Sequence, residues 1–243
     1  MIPWLDDSLQ FPELRLALQE PNGLLAAGGD LSPLRVLAAY ASGIFPWFMP
    51  GEPILWWSPN PRMVLFPDEL HIPKSLDKVL RNRAYEVRFD TAFDEVMQGC
   101  AAPRDGEPAT WISDAIRASY GALHRAGWAH SAECWIDGEL AGGLYGIAMG
   151  KMFYGESMFA RKADASKIAF VHLVRYLQQQ GFGLIDCQMR TDHLARFGAR
   201  EILRDEFMQG LTPLIQETHL AGPWAYQAST SQWQAHPSIK SKS

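Results

Sequence analysis

At 243 residues, 47% hydrophobic and 20% charged, the chain has an ordinary globular composition and the length for one large domain or two small ones. A net charge of −5 excludes a generally basic nucleic-acid binder, so contact with a polyanion needs a local patch. Three distant cysteines, Cys100, Cys134 and Cys187, with no C-x-x-C pair, argue against a zinc or redox motif. With no signal-peptide pattern at residues 1–7 and no apolar run near about 18 residues, the expectation is a cytoplasmic protein without a membrane partner.

Residues 1–60 are dense in Pro, Gly and Trp and are expected to form a small N-terminal domain. Within it, Ser32-Pro33 opens a helix whose apolar side is Leu34, Leu37, Ala38 and Ala41, and Gly43 ends it. From residue 61 the elements alternate. Arg62 to Phe66 reads as a strand, and Pro73 to Arg83 as a short helix carrying Lys74, Lys78, Arg81 and Arg83. Tyr85 to Asp90 is a strand, Thr91 to Cys100 a helix, and Ser113 to Ala126 a helix capped by Ser113. Asp137-Gly138 predicts a tight hairpin between two strands, and Met152 to Phe159 continues the meander. Residues 165–180 form a long helix stopped by Gly181. A strand at Leu184 to Gln188, a short helix near Thr191 to Phe197 and a last helix near Asp205 to Gln216 follow. The main domain is placed at 61–220, and the segment 221–243, rich in Ser, Gln and Lys, is expected to fray. The fold class expected is α+β with a mixed, mostly antiparallel sheet, in an order similar to that of the GNAT acyltransferases.

Two strands carry groups that are costly to bury without partners. Asp186 and Gln188 fall on one face of Leu184 to Gln188, and Glu156 interrupts an aromatic strand. They either satisfy one another or hold a substrate. The loop Ala160 to Lys167 has no glycine, unlike the loops that cradle the CoA pyrophosphate, so CoA is disfavoured. Gly155-Glu156-Ser157-Met158-Phe159 is not a nucleophile elbow, the seven His show no metal-ligand spacing, and His193 is expected to cap or pack locally. No metal and no cofactor are expected. Attack of an amine on an already activated ester fits what remains. An α-amine titrates near about 8, so the site must chiefly orient it, take one proton and exclude water.

The order of several motifs resembles the leucyl/phenylalanyl-tRNA–protein transferases. They are Pro21 to Leu25, Gly28 to Ser32, Gly43 to Phe48, Leu55 to Pro59, Thr110-Trp111-Ile112, Gly142 to Gly146, Gly155 to Phe159, Ala165-Ser166-Lys167 and Ile185 to Gln188. The resemblance implies an N-terminal domain followed by a GNAT-like domain that uses no CoA. It implies transfer of Leu or Phe, with Met as a third candidate, from aminoacyl-tRNA to proteins beginning with Arg or Lys, making an N-degron. A monomer is expected. Asp186 and Gln188 would help deprotonate the amine, and Glu156 would position the acceptor. Leu144, Phe153, Met158, Leu173 and Ile185 would line the aminoacyl pocket. Trp47 and Trp111 would contact the terminal adenosine, and Lys74, Lys78, Arg81 and Arg83 the tRNA phosphates. The chain departs from the family at Arg196-Phe197, where Ser-Leu is usual, which bears on packing near the site. The other readings are a CoA-dependent N-acetyltransferase and a non-catalytic tRNA or peptide binder.

Overall fold

The computed structural model describes residues 2–103 and 110–235. In the Pro- and Gly-rich first part the strands are short. β1 (Trp4–Leu5), β2 (Leu24–Gly28), β3 (Phe45–Pro46) and β4 (Leu55–Trp57) form a four-stranded sheet in the order β1-β2-β4-β3, with α1 (Pro33–Ala41) beside it. Ser32 caps α1, its hydroxyl accepting from the Arg35 N–H at 3.4 Å, and Gly43 turns the chain with φ 71°.

The rest builds one mixed sheet with helices on both faces. In chain order it holds β5 (Arg62–Leu65), α2 (Lys74–Asn82), β6 (Glu86–Phe89), α3 (Phe93–Ala101), α4 (Asp114–Arg125), β7 (Ala129–Ile136), β8 (Glu139–Met149) and β9 (Met152–Ala160). Then come α5 (Ala165–Gln179), β10 (Leu184–Gln188), α6 (Asp192–Ala195), β11 (Arg200–Ile202), α7 (Arg204–Gln216), β12 (Gln227–Ser229) and α8 (Thr230–Ala235). The eight strands run β11-β5-β10-β9-β8-β7-β6-β12. Asp137 and Gly138, both at positive φ (57° and 78°), make the tight turn expected between β7 and β8. Among the described residues only β10 and β9 pair in parallel; the other pairings in this sheet are antiparallel.

Two apolar layers sandwich the sheet. Leu144, Phe153 and Ile185 face α5 and α2, packing on Ile168, Leu173 and Leu80. Tyr145, Ile147 and Tyr154 face α3, α4, α7 and the N-terminal sheet, among Val96, Ile116, Phe207 and Trp56. Each fully buried side chain of this kind contributes about 1.5–3 kcal/mol. The glycines of β8 serve close packing: a Cβ on Gly146 would lie 2.2 Å from the Tyr154 carbonyl oxygen, and one on Gly142 2.8 Å from the Ala165 Cβ.

The segment from 221, expected to fray, packs instead through residue 233. β12 pairs with β6, the Trp224 ring stacks on His130 at 3.7 Å, and Trp233 is buried against His172 and Arg175. Average composition concealed two tryptophans with enough apolar area to hold the strand down. Residues 236–243 of that segment lie outside the described residues. No described helix is long and apolar enough to cross a membrane.

Candidate active site

The site arises from a defect in the sheet. β9 and β10 pair as far as Tyr154 and Asp186, and no pairing continues beyond. The register with β8 slips between Tyr145 and Gly146, opposite Ser157 and Gly155, so Glu156 falls in the bulge. The register with β5 slips between Asp186 and Gln188. Gln188 adopts φ 62°, the left-handed region that a non-glycine residue rarely enters, so simple alternation does not set its direction. Where the strands part there is a cavity of about 610 Å³. Glu156, Asp186 and Gln188 all line it.

The two carboxylates meet different neighbours. Asp186 is fully buried and makes a two-pronged ion pair with Arg62: Nε donates to Oδ1 at 2.8 Å, and Nη2 to Oδ2 at 2.6 Å. The Gln188 backbone N–H also donates to Oδ1, at 2.8 Å. Arg62 is itself buried between the rings of Phe45 and Phe207, and it donates to the Gly43 carbonyl at 3.2 Å. Asp186 thus has no oxygen without a donor. Taking a proton there would forfeit a buried ion pair.

Among the described residues Glu156 forms no ion pair. Its Oε1 accepts from the Tyr40 hydroxyl at 2.6 Å and from the Gln188 Nε2 at 3.1 Å; its Oε2 lies 3.2 Å from the Tyr120 hydroxyl. Burial pushes its pKa up to about 7, against the hydrogen bond from Tyr40; the Asp186 charge adds to the rise, and Tyr120 and Arg62 oppose it. Both phenols are held well above the usual tyrosine range, first by burial and then by the Glu156 charge, so they stay protonated donors.

The five residues expected in an apolar pocket come together on one wall: Leu144, Phe153, Met158, Leu173 and Ile185. Leu144, Phe153, Leu173 and Ile185 are core residues on their other sides, which is how a pocket and a core share side chains. Phe170 completes that wall and packs edge-on against Phe197 at 5.0 Å, the residue at which the chain departs from the family pattern. Trp47 and Trp111 stand at the cavity too. Trp47 is 40% exposed, and its carbonyl accepts from the Trp57 indole at 2.6 Å. His193 lines the cavity with its Nε2 buried and lies edge-on to Phe197.

The basic residues are not at the cavity. Lys74 and Lys78 are exposed on α2, and Arg81 pairs with Asp77 at 2.9 Å. Arg83 lies past the helix end and donates to the Ala163 carbonyl at 2.6 Å. In the glycine-free loop, the Arg161 and Lys162 amides both donate to the Ala141 carbonyl (2.7 and 3.1 Å), and the Ala165 amide donates to Lys162. These three amides are already committed and are not free to bind a pyrophosphate.

Sequence reasoning missed Arg62, Tyr40 and Tyr120. Arg62 left one signal, a lone cation opening an apolar strand. The tyrosines left none, since an aromatic on the apolar side of a helix reads as core.

The chain matches the family described as leucyl/phenylalanyl-tRNA protein transferase over residues 64–212, and the N-terminal domain of the same family over 29–60. A leucyl/phenylalanyl-tRNA–protein transferase of Chromobacterium violaceum is 60% identical over 226 residues, covering 93% of this chain and 97% of that protein. One of Nitrosomonas europaea is 62% identical over 214 residues, covering 88% and 91%. Likeness to solved structures is remote. The C-terminal domain of a putative lysylphosphatidylglycerol synthetase from Agrobacterium fabrum gives a TM-score of 0.39 at 15% identity, over 84% of this chain and 67% of that one, and carries no argument.

Proposed function

The chain belongs to the leucyl/phenylalanyl-tRNA–protein transferase family, whose members move an aminoacyl group from tRNA to a protein, and on that premise we propose a substrate and a division of labour for this site. The donor is Leu-tRNA or Phe-tRNA, its side chain on the wall of Leu144, Phe153, Met158, Leu173 and Ile185. The acceptor is the α-amine of a protein beginning with Arg or Lys, and the product is an N-degron. Trp47 and Trp111 contact the terminal adenosine by stacking or edge contact. Lys74 and Lys78, with Arg81 and Arg83 behind them, meet tRNA phosphates further out. Residues 61–220 form a GNAT-like domain without CoA, residues 1–60 the smaller domain. The protein acts as a monomer in the cytoplasm, where aminoacyl-tRNA is.

The amine nitrogen attacks the ester carbonyl carbon, a C–N bond forms, and the C–O bond to the terminal ribose breaks. One proton must travel from nitrogen to the leaving ribose oxygen. Glu156 receives it and returns it; a carboxylate titrating near neutrality suits both halves of that task. The Gln188 amide fixes Glu156, and Asp186 with Arg62 fixes Gln188 through its backbone N–H. Asp186 is therefore a positioning residue. One observation carries the reading: an apolar wall and the Glu156–Gln188 pair open onto the same cavity. The test offers Leu-, Phe- and Met-tRNA with peptides beginning in Arg, Lys or Ala and weighs the products. Arg and Lys peptides gain one Leu or Phe; equal gain on the Ala peptide, or gain from acetyl-CoA in place of tRNA, contradicts the reading.

A further inference from the structure

Around Glu156 the oxygens outnumber the protons available to them. Tyr40, at the end of α1, and Tyr120, on α4, are both fully buried, and their hydroxyls lie 2.6 Å apart. Each also reaches Glu156, Tyr40 to Oε1 at 2.6 Å and Tyr120 to Oε2 at 3.2 Å. That makes three oxygen–oxygen contacts, but the two phenols bring only two protons when Glu156 is ionised. The short contacts take them. Tyr40 donates to Oε1, since a carboxylate cannot donate, and Tyr120 donates to Tyr40. The contact from the Tyr120 hydroxyl to Oε2, at 3.2 Å the longest of the three, then shares the Tyr120 hydrogen and holds none of its own. Oε1, which also accepts from Gln188, is saturated; Oε2 is not.

We propose that Tyr40 and Tyr120 are positioning residues for the transfer: a two-hydroxyl relay that saturates Oε1 of Glu156 and leaves Oε2 as the place where the amine's proton lands. When the proton arrives on Oε2, that O–H donates to Tyr120 and the third contact closes. The Tyr154 hydroxyl steadies the relay by donating to the Tyr40 backbone carbonyl at 2.9 Å, and the two rings are 4.8 Å apart. The relay gives the N-terminal domain a part in the chemistry, because Tyr40 lies within residues 29–60. It rests on the reading of Glu156 as the proton acceptor.

The charged and titratable groups that bear on Glu156 from the surrounding elements are Tyr40 on α1, Tyr120 on α4, Tyr145 on β8, Asp186 on β10 and Arg62 on β5. Two of these, the relay hydroxyls, are removable without changing a charge. Each stabilises the ionised carboxylate, so deleting one raises the titration of Glu156.

The test is a carboxyl ¹³C NMR titration of the free, full-length protein labelled at the Glu side-chain carboxyl, with the Glu156 resonance assigned by its absence in Glu156→Gln. Tyr40→Phe shifts the Glu156 midpoint upward by about one unit, the size expected for one charge-assisted hydrogen bond, and Tyr120→Phe shifts it upward by less. Both slow single-turnover transfer below the new midpoint while the KM for tRNA and for peptide stays put. If either variant fails to fold, the other is read alone. An unmoved or lowered midpoint in the folded variant overturns the relay, even if transfer has slowed. Transfer at the wild-type rate by Glu156→Gln is a different failure: it removes the proton-acceptor reading and the relay with it.

Discussion

Asp186 and Glu156 are two carboxylates on adjoining strands of one cavity, and they meet opposite kinds of neighbour. Asp186 faces a guanidinium that takes both of its oxygens; Glu156 faces two phenols and an amide. The first arrangement locks a charge in place. The second leaves a carboxylate whose pKa burial has lifted to about 7, where it exchanges protons near neutral pH. The proposed division between a positioning group and a proton acceptor rests on those partners, since the two residue types are alike.

The comparison breaks most visibly in stability. Asp186→Ala strands a buried Arg62, and denaturant unfolding should show a loss of about 3–5 kcal/mol. Transfer would fall as a consequence of the lost fold. Glu156→Gln should unfold close to wild type near pH 5, where the wild-type group is protonated and an amide imitates it. With a folded midpoint near 7 and an ordinary value of 4.5, the folded state binds more protons between those limits. Stability therefore falls as pH rises through that window, and Glu156→Gln should flatten this slope.

Next in size is the rate. Removing a positioned proton acceptor costs about a hundredfold or more, so Glu156→Gln should lower kcat by that order with both KM values kept. Smaller is a change in donor choice. Leu173→Phe adds bulk to the apolar wall and should lower transfer of Phe relative to Leu by about tenfold, read by competing the two charged tRNAs. Smallest is the outer surface. Lys74→Ala with Lys78→Ala should raise the tRNA KM, reduce the slope of log affinity against log salt by about 1–2, and leave kcat alone.

Much of this site was legible in the chain because its parts are local. The motif Ile185 to Gln188 and the aromatic strand around Glu156 carry polar groups where none belongs, and the apolar residues of the wall sit at strand and helix spacing. The hairpin at Asp137-Gly138 and the caps Ser32 and Ser113 follow from backbone chemistry that a few residues decide. What escaped reading was long-range. Arg62 meets Asp186 across 124 positions, and Tyr40 meets Glu156 across 116, so no window of sequence contains either pair. Gln188 was read from strand alternation, but a register slip and its φ of 62° set its direction. The residues after Ala221 were read from average composition, and Trp224 and Trp233 decided otherwise.

The division of labour is tested most directly by single-turnover transfer of Leu from Leu-tRNA to an Arg-peptide, followed by mass, in wild type and Glu156→Gln from pH 6 to pH 9. The expected result is a peptide one Leu heavier, made by wild type at a rate that climbs through about pH 7, and made by Glu156→Gln about a hundredfold more slowly, with only the rise near about pH 8 from the peptide's own α-amine left. Equal rates in the two proteins across the range would contradict it.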